Sequence, residues 1–233
     1  MDDTTPDNPA VIPFGDDERA PTQIYLISPQ DVGGDFPQRL ERALAAAPVA
    51  AFQFRVKGVD EHEAARLAKP LQDICAAHDV AFIVNDSVSL AKRLDADGVH
   101  LGQDDGDPRE AREKLGRDAQ IGVTCHNSRH LGMEAGDAGA DYVAFGAFFP
   151  TTTKQVKHVA EARTLSLWQA LFEIPCVAIG GITADNCGPL VQAGADFIAV
   201  CGAVWDGDEV ANVKALHTAI ETAMSDAGAD TGA

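Results

Sequence analysis

Three polar side chains, Gln53, Arg55 and Lys57, occupy alternate positions of one short segment of the chain. Side chains of an extended strand alternate between its two faces, so this spacing predicts that the three share one face. An amide and two cations on one face can bind the oxygens of a phosphate or diphosphate. The alternative is an exposed strand end whose charges are solvated.

Two acidic segments lie further along the chain, and each follows an apolar run. Asp86 belongs to the first, and Asp104 and Asp105 belong to the second. Magnesium in proteins is held by one or two carboxylates, with substrate phosphates and water completing its shell. We therefore predict that carboxylates from the two segments meet and bind Mg²⁺. The alternative is that Asp86 caps the helix that begins at Val88, and that Asp104 or Asp105 starts the turn into Pro108.

Later segments add smaller groups that suit an anion. Residues 151–154 contain three hydroxyls and an ammonium, and Gly181 and Gly202 lie where backbone N–H groups could approach a phosphate closely. His126 follows another apolar run. It is either an acid–base group or a structural histidine at a strand end.

The segments are separated by a regular alternation of apolar runs and helical patterns. Continuous apolar runs are typical of strands that are buried on both faces, and they predict eight strands at 24–27, 50–56, 81–84, 98–101, 121–124, 142–145, 176–179 and 197–200. Apolar residues at helical spacing predict eight helices at 36–47, 61–78, 88–94, 108–115, 129–138, 165–172, 184–193 and 210–224. Pro108 is suited to the first turn of its helix, with Asp107 as the cap.

Eight strand–helix units in series predict an α/β fold, a single (β/α)8 TIM barrel over residues 22–225. A doubly wound open sheet would instead place a glycine-rich turn after the first strand, where the sequence reads Ser-Pro-Gln. Residues 1–21 are predicted to form a disordered acidic tail, and residues 226–233 a frayed end. The active site of such a barrel lies at the carboxyl ends of its strands, and the candidate segments fall there.

Composition narrows the function classes. The chain has 233 residues, with 36 acidic against 18 basic residues and a net charge of -18, so a nucleic-acid partner is not expected. A small phosphorylated substrate would need local cations, and a metal, to overcome this field. The five cysteines form no C-x-x-C pair, which predicts free thiols and no structural zinc site. With no signal peptide and no apolar run long enough for a membrane, we expect a cytoplasmic protein, as a monomer or a homo-oligomer.

Together these segments resemble the thiamine phosphate synthase (thiamine-phosphate pyrophosphorylase) family. The resemblance covers about residues 24–204 and rests on the segments 53–57, 85–86, 98–105, 146–154 and 178–183. Its specificity comes from the combination of Pro-Thr-Thr-Thr-Lys with Gly-Gln-Asp-Asp. Two positions depart from the family pattern: Thr124 replaces the usual Ser, and Cys201-Gly202 replaces the common Ile-Ser or Val-Ser.

Members of that family join a hydroxymethylpyrimidine diphosphate to a thiazole phosphate and release pyrophosphate. The resemblance implies that Mg²⁺ is the cofactor and that Asp86 and Asp105 hold it. It implies that the pyrimidine diphosphate is bound by Gln53, Arg55, Lys57, Asn85, Thr124 and Lys154. It implies that the thiazole phosphate is bound by Thr151, Thr153, Gly181, Cys201 and Gly202. Arg55, Lys57 and Lys154 would neutralise the departing charge, and they are therefore the predicted catalytic residues.

Two other functions remain open at this point. One is an isomerase that resembles the thiazole tautomerases built on the same barrel, with His126 as the proton shuttle. The other is a sensor that binds a phosphorylated ligand without turning it over. Those tautomerases tend to lack the two metal carboxylates, which this chain has.

Overall fold

The computed structural model describes residues 20–151 and 158–230 of the chain. Within them, eight parallel strands pair in chain order, and the first pairs with the last, so the sheet closes into a barrel. The strands are β1 Gln23–Ile27, β2 Ala51–Phe54, β3 Ala81–Asn85, β4 Gly98–Leu101, β5 Gln120–His126, β6 Tyr142–Gly146, β7 Cys176–Ile179 and β8 Phe197–Val200. The predicted (β/α)8 barrel is confirmed.

Helices alternate with the strands along the chain. They are α1 Phe36–Ala46, α2 Glu61–Ala77, α3 Val88–Leu94, α4 Pro108–Leu115, α5 Arg129–Asp137, α6 Ala162–Leu171, α7 Gly188–Gln192, α8 Gly202–Trp205 and α9 Glu209–Asp230. Among the described residues, none of these helices is both long and apolar enough to cross a lipid bilayer.

The apolar core has two layers because strand side chains alternate between outside and inside. Residues such as Leu26 and Phe52 point outward and pack with the helices in one large cluster. The other strand positions form a smaller cluster inside the barrel: Tyr25, Ile27, Ile83, Tyr142, Ala144, Val177 and Ala199. The interior is therefore a packed layer and not a pore.

Local sequence signals account for several element boundaries. Asp107 caps α4, as predicted, by accepting a hydrogen bond from the backbone N–H of Arg109 at 2.8 Å, and Pro108 opens the helix. The helix α7 is shorter than the predicted helix over 184–193, because it begins at Gly188, with Pro189 in its first turn, after a turn in which Asn186 accepts from the backbone N–H of Thr183.

The other differences from the predictions concern the two ends of the chain and one short helix. The last helix was predicted to end at 224, but α9 continues through Asp230; residues 231–233 of the predicted frayed end lie outside the described residues. The short helix α8 was not predicted. Of the predicted acidic tail, only residues 20 and 21 lie within the part of the chain that the structure describes.

Candidate active site at the carboxyl end of the barrel

The two predicted acidic segments meet at the carboxyl ends of β3 and β4. The carboxylates of Asp86 and Asp105 are close enough to form a hydrogen bond with each other. The ammonium Nζ of Lys57 lies 2.8 Å from Oδ2 of Asp86. The fold therefore brings together two acidic side chains and one basic side chain that lie far apart in sequence.

Helix capping does not account for these two carboxylates. Ser87 caps α3 by accepting from the backbone N–H of Leu90 at 3.2 Å, and Asp107 caps α4. Asp86 itself has a left-handed backbone with φ 65°, an uncommon conformation for a residue other than glycine. Asp105 is held from one side, because its Oδ2 accepts the backbone N–H of Gly102 at 2.9 Å. Both acids are thus left facing the mouth of the barrel.

The pKa values of the two carboxyl groups are shifted in opposite directions. Partial burial, and then the hydrogen bond and charge of Asp86, raise the pKa of Asp105 above its ordinary value. Partial burial also opposes ionisation of Asp86, but the Lys57 ammonium, the Asp105 hydrogen bond and the Arg55 charge hold the pKa of Asp86 below its ordinary value. Two carboxylates in contact repel each other when both are ionised. A divalent cation between them would remove this repulsion, so the pair fits Mg²⁺.

The cations of the first polar segment are held by the loop that follows β1. The strand β2 ends at Phe54, so Arg55 and Lys57 lie beyond it and are not on the strand face that the alternation predicted. Ser28, which is buried, accepts from the backbone N–H of Arg55 at 2.8 Å, and Gln30 donates to the backbone carbonyl of Lys57 at 2.5 Å. The β1 loop thus fixes the backbone that carries both cations.

Three other predicted residues line the inner face of the barrel. Gln53 is buried and donates from Nε2 to the hydroxyl of Tyr25 at 3.0 Å. Asn85 ends β3 on the same face as Ile83 and pairs in register with His100. Thr124, where the backbone of β5 begins to bulge, has its hydroxyl 2.8 Å from Nε2 of His100.

Sequence reasoning assigned no role to three buried polar residues of this inner layer. They are Tyr25, His100 and Tyr142, and they connect Gln53 to Thr124 by hydrogen bonds. The sequence does mark these three residues, because each of them interrupts an apolar strand at a position that faces inward. A polar side chain at such a position needs a hydrogen-bonding partner, and that partner becomes visible only in the fold.

The loops after β6 and β7 lie against each other. The backbone N–H of Phe149 donates to the carbonyl of Gly180 at 2.9 Å. Gly181 has φ 67°, and a Cβ atom at this position would collide with the backbone carbonyl of Pro150. Thr151 follows Pro150 in the chain and is half-buried beside this contact. Thr153 and Lys154, the other predicted residues of this loop, lie outside the described residues.

The predicted phosphate contacts after β8 begin the short helix α8. Cys201 is half-buried, and its thiol donates to the carbonyl of Ser28 at 3.5 Å, so it lies beside the end of β1. Burial raises the pKa of this thiol, although the charge of Arg55 acts against the shift. Gly202 is the first residue of α8, so its backbone N–H lies at the start of that helix.

His126 lies at the rim of the site and not in its centre. It has a left-handed backbone, and its ring lies 4.8 Å from the ring of His158, centroid to centroid. The neighbouring Asn127 donates to the carbonyl of Val159 at 3.2 Å. This strand end therefore contacts the segment that leads into α6.

A closed (β/α)8 barrel whose cations, carboxylates and glycine turns converge at the carboxyl ends of its strands is the arrangement of a barrel enzyme with a site for phosphate groups. Comparison with known proteins identifies the family. Residues 24–204 match the family model described as thiamine monophosphate synthase. The chain therefore belongs to the thiamine monophosphate synthase family.

Individual relatives are similar along nearly their whole length. The chain is 73% identical over 208 residues to a thiamine-phosphate synthase of Erythrobacter litoralis, covering 87% of this chain and 97% of the relative. It is 52% identical over 185 residues to a thiamine-phosphate synthase of Rhodospirillum centenum, covering 79% and 89%. The solved structure of a thiamine phosphate pyrophosphorylase from Pyrococcus furiosus superimposes with a TM-score of 0.77 at 30% identity, covering 87% of this chain and 96% of that one.

Proposed function

We propose that this chain joins a hydroxymethylpyrimidine diphosphate to a thiazole phosphate, giving thiamine phosphate and pyrophosphate. The observation that carries the proposal is the contact of Asp86 with both Asp105 and Lys57 at the mouth of a barrel of this family. In the reaction, the bond between the pyrimidine methylene carbon and the diphosphate oxygen breaks, and a bond to the thiazole nitrogen forms.

The metal we propose is Mg²⁺, held by Asp86 and Asp105. Among residues 20–151 and 158–230 there is no cluster of three or more His, Cys, Asp or Glu side chains suited to a metal. A pair of carboxylates is what magnesium uses when phosphate oxygens of the substrate supply further ligands. When bound, the ion would neutralise part of the diphosphate charge and so favour its departure.

Arg55 and Lys57 would neutralise the rest of the diphosphate charge. Arg55 lies close enough for its charge to act on the pKa of both Asp86 and Cys201. Fixed cations that face a developing negative charge stabilise the transition state without having to reorganise. We propose the same role for Lys154. No protein nucleophile is needed, because the electron-rich pyrimidine can support the positive charge left on the methylene carbon.

The remaining proposed contacts divide by substrate. Gln53, Asn85 and Thr124 would bind the pyrimidine from inside the barrel. The thiazole phosphate would be bound by Thr151, Thr153, Gly181, Cys201 and Gly202. The Gly181–Pro150 contact and the Cys201–Ser28 contact support this grouping, because each brings a neighbouring loop to the mouth. Gly202 offers only its backbone N–H, so one hydroxyl contact common in the family, of about 1 kcal/mol, is missing.

Product formation with and without magnesium tests the proposal directly. Purified protein is incubated with both substrates, and thiamine phosphate and pyrophosphate are measured by mass spectrometry and a coupled assay. We expect both products in equal amounts, and none when magnesium or either substrate is omitted. Asp107→Asn is the control for the loss of an acid at this rim, because Asp107 lies at the same rim but caps α4. This variant should keep the activity.

Two outcomes would favour the other functions. Binding of both substrates without product would indicate a sensor. Thiazole isomerisation that persists without magnesium and is lost in His126→Ala would indicate a tautomerase. His126 is the residue to test for the second outcome, and its ring contacts that of His158 at the rim.

We also propose that the reaction takes place in the cytoplasm. All five cysteines carry free thiols, and four of them are buried. Burial raises the pKa of Cys75 and of Cys125 to about 12, so these two thiols are unreactive packing groups. Cell fractionation with a tagged chain tests this location.

A further inference from the structure

A row of polar side chains crosses the interior of the barrel, where this fold ordinarily packs Val, Ile and Leu. Its four inner members, Tyr25, Gln53, His100 and Tyr142, are between 3% and 8% exposed. Burying four polar groups is costly unless each of them is hydrogen-bonded. Their presence in the layer beneath the proposed site therefore needs an explanation beyond packing.

The side chains form one continuous chain of hydrogen bonds. Gln53 Nε2 donates to the Tyr25 hydroxyl at 3.0 Å, and the hydroxyls of Tyr25 and Tyr142 are 2.9 Å apart. The Tyr142 hydroxyl is 3.1 Å from Nδ1 of His100, and Nε2 of His100 is 2.8 Å from Oγ1 of Thr124. The chain thus runs from β2, through β1, β6 and β4, to β5.

Small residues make room for the two rings. A Cβ atom on Gly122 would overlap the Tyr142 ring, so glycine is required beneath it. Ala144 and Ala199 are the small members of the same interior cluster, and the ring centroids of Tyr25 and Tyr142 are 6.1 Å apart at an edge-on angle. The interior is thus built around the two rings.

Both hydroxyls keep their protons at neutral pH. Burial is the main cause that raises the pKa of Tyr25 to about 12 and that of Tyr142 well above 10. Each tyrosine therefore has one proton to donate along the chain. All the hydrogen bonds can then point the same way. Gln53 donates to Tyr25, Tyr25 donates to Tyr142, and Tyr142 donates to Nδ1 of His100. The Nε2–H of His100 donates to the hydroxyl of Thr124. In this order Gln53 presents its carbonyl oxygen to a ligand, and Thr124 presents its hydroxyl proton.

We propose that Tyr25 and Tyr142 are positioning residues, which orient Gln53 and, through His100, Thr124 toward the pyrimidine substrate. The inference rests on the proposed function, because it takes Gln53 and Thr124 as pyrimidine contacts. The tyrosines themselves act through other side chains. Their hydroxyls fix which end of the Gln53 amide the substrate meets, and whether the Thr124 hydroxyl donates or accepts.

Removing either hydroxyl tests the proposal. In Tyr25→Phe and Tyr142→Phe we expect KM for the pyrimidine diphosphate to rise about tenfold, while KM for the thiazole phosphate changes less than about twofold. Val177→Ala, in the same interior cluster, is the control that trims packing without removing a hydroxyl. It should lower the melting temperature and leave both KM values unchanged. An unchanged KM for the pyrimidine diphosphate in the tyrosine variants, or an equal rise for both substrates, would overturn the proposal.

A double variant tests transmission along the chain. Tyr142 has no direct contact with Gln53 among the hydrogen bonds of the described residues, so Tyr142→Phe should raise KM less in a Gln53→Ala background than in the wild type. Independent, multiplicative effects would contradict the proposal. If Gln53→Ala alone leaves KM unchanged, the proposed function of Gln53 fails. If it raises KM and the tyrosine variants do not, only the positioning role fails.

A measurement on the intact chain covers the case in which the tyrosine variants do not fold. Nitrogen NMR of labelled histidine reports which ring nitrogen of His100 carries the proton, and His100→Gln identifies its signals. Addition of the pyrimidine diphosphate without the thiazole should shift both His100 signals. Signals that stay unchanged at saturating ligand would overturn the proposal.

Discussion

The two ends of the barrel use the same side chain, aspartate, in opposite ways. At the amino end, three aspartates immediately precede β4, β6 and β8, and each accepts a backbone N–H from the first residues of the preceding strand: Asp97 from Phe82 at 2.7 Å, Asp141 from Ile121 at 2.6 Å and Asp196 from Cys176 at 2.7 Å. Arg112 further neutralises Asp141 at 2.6 Å. These carboxylates join neighbouring strands and stabilise the closed sheet.

At the carboxyl end, Asp86 and Asp105 are hydrogen-bonded to each other, Lys57 pairs with Asp86, and one backbone N–H, that of Gly102, donates to Asp105. Backbone donors that satisfy a carboxylate favour folding, whereas two carboxylates in contact are unfavourable without a ligand. The amino end thus contributes stability, whereas the carboxyl end gives up stability to keep charged groups available. Four predictions test this contrast.

The largest effect is expected at the carboxyl end. Asp86→Asn removes one of the two proposed metal ligands, so kcat/KM should fall at least about 100-fold. The free energy of unfolding should change by less than about 1 kcal/mol, because the lost ion pair with Lys57 is half-exposed and the repulsion between Asp86 and Asp105 is removed with it. Steady-state kinetics and urea unfolding measure the two quantities. A variant with full activity would remove the basis of the proposed site.

The reverse result is expected at the amino end. Asp141→Ala leaves the backbone N–H of Ile121 and the guanidinium of Arg112 without their carboxylate partner. The free energy of unfolding should fall by about 2 kcal/mol, with kcat unchanged below the melting temperature. Asp196→Ala is the parallel variant. If Asp141→Ala lowered kcat at constant fold content, the division between the two ends would be wrong.

Magnesium should stabilise only through the carboxyl end. At about ten times its dissociation constant, an ion that binds the folded chain alone adds about 1.4 kcal/mol to the free energy of unfolding. The wild type should therefore melt at a higher temperature with Mg²⁺ than with a chelator. The double variant Asp86→Asn/Asp105→Asn should melt at the same temperature in both. An equal shift in both proteins would place the ion elsewhere.

The smallest effect is a pH dependence of the metal-free protein. The pKa of Asp105 is raised in the folded state, so its favourable contribution is present at low pH and is lost as pH rises through that pKa. Asp105→Asn should therefore be about 0.5 kcal/mol more stable than the wild type at pH 7, and this gain should disappear near pH 3. Chemical unfolding in a chelator at several pH values measures it. A gain that persists at low pH would contradict the sign.

Much of the fold follows from local patterns, because each strand–helix unit repeats them. The bounds of β4, β7, β8, α3 and α4 agree with their predictions, since apolar runs, caps and prolines mark these boundaries. The prediction for β2 was too long, because Arg55 and Lys57 continue the alternation although their backbone is already held by the β1 loop. Helix α8 was missed, since four residues are too few to show a helical period.

The sequence by itself determined the barrel, the polar segments at its carboxyl end and the family to which they point. It did so because residue type and spacing along the chain carry that information directly. Only the tertiary structure decided that Asp86 contacts Asp105, that Ser87 and Asp107 cap the helices in their place, and that Tyr25 meets Tyr142 across the barrel. These contacts join residues on different strands, and their energies depend on distances that closing the sheet alone can set.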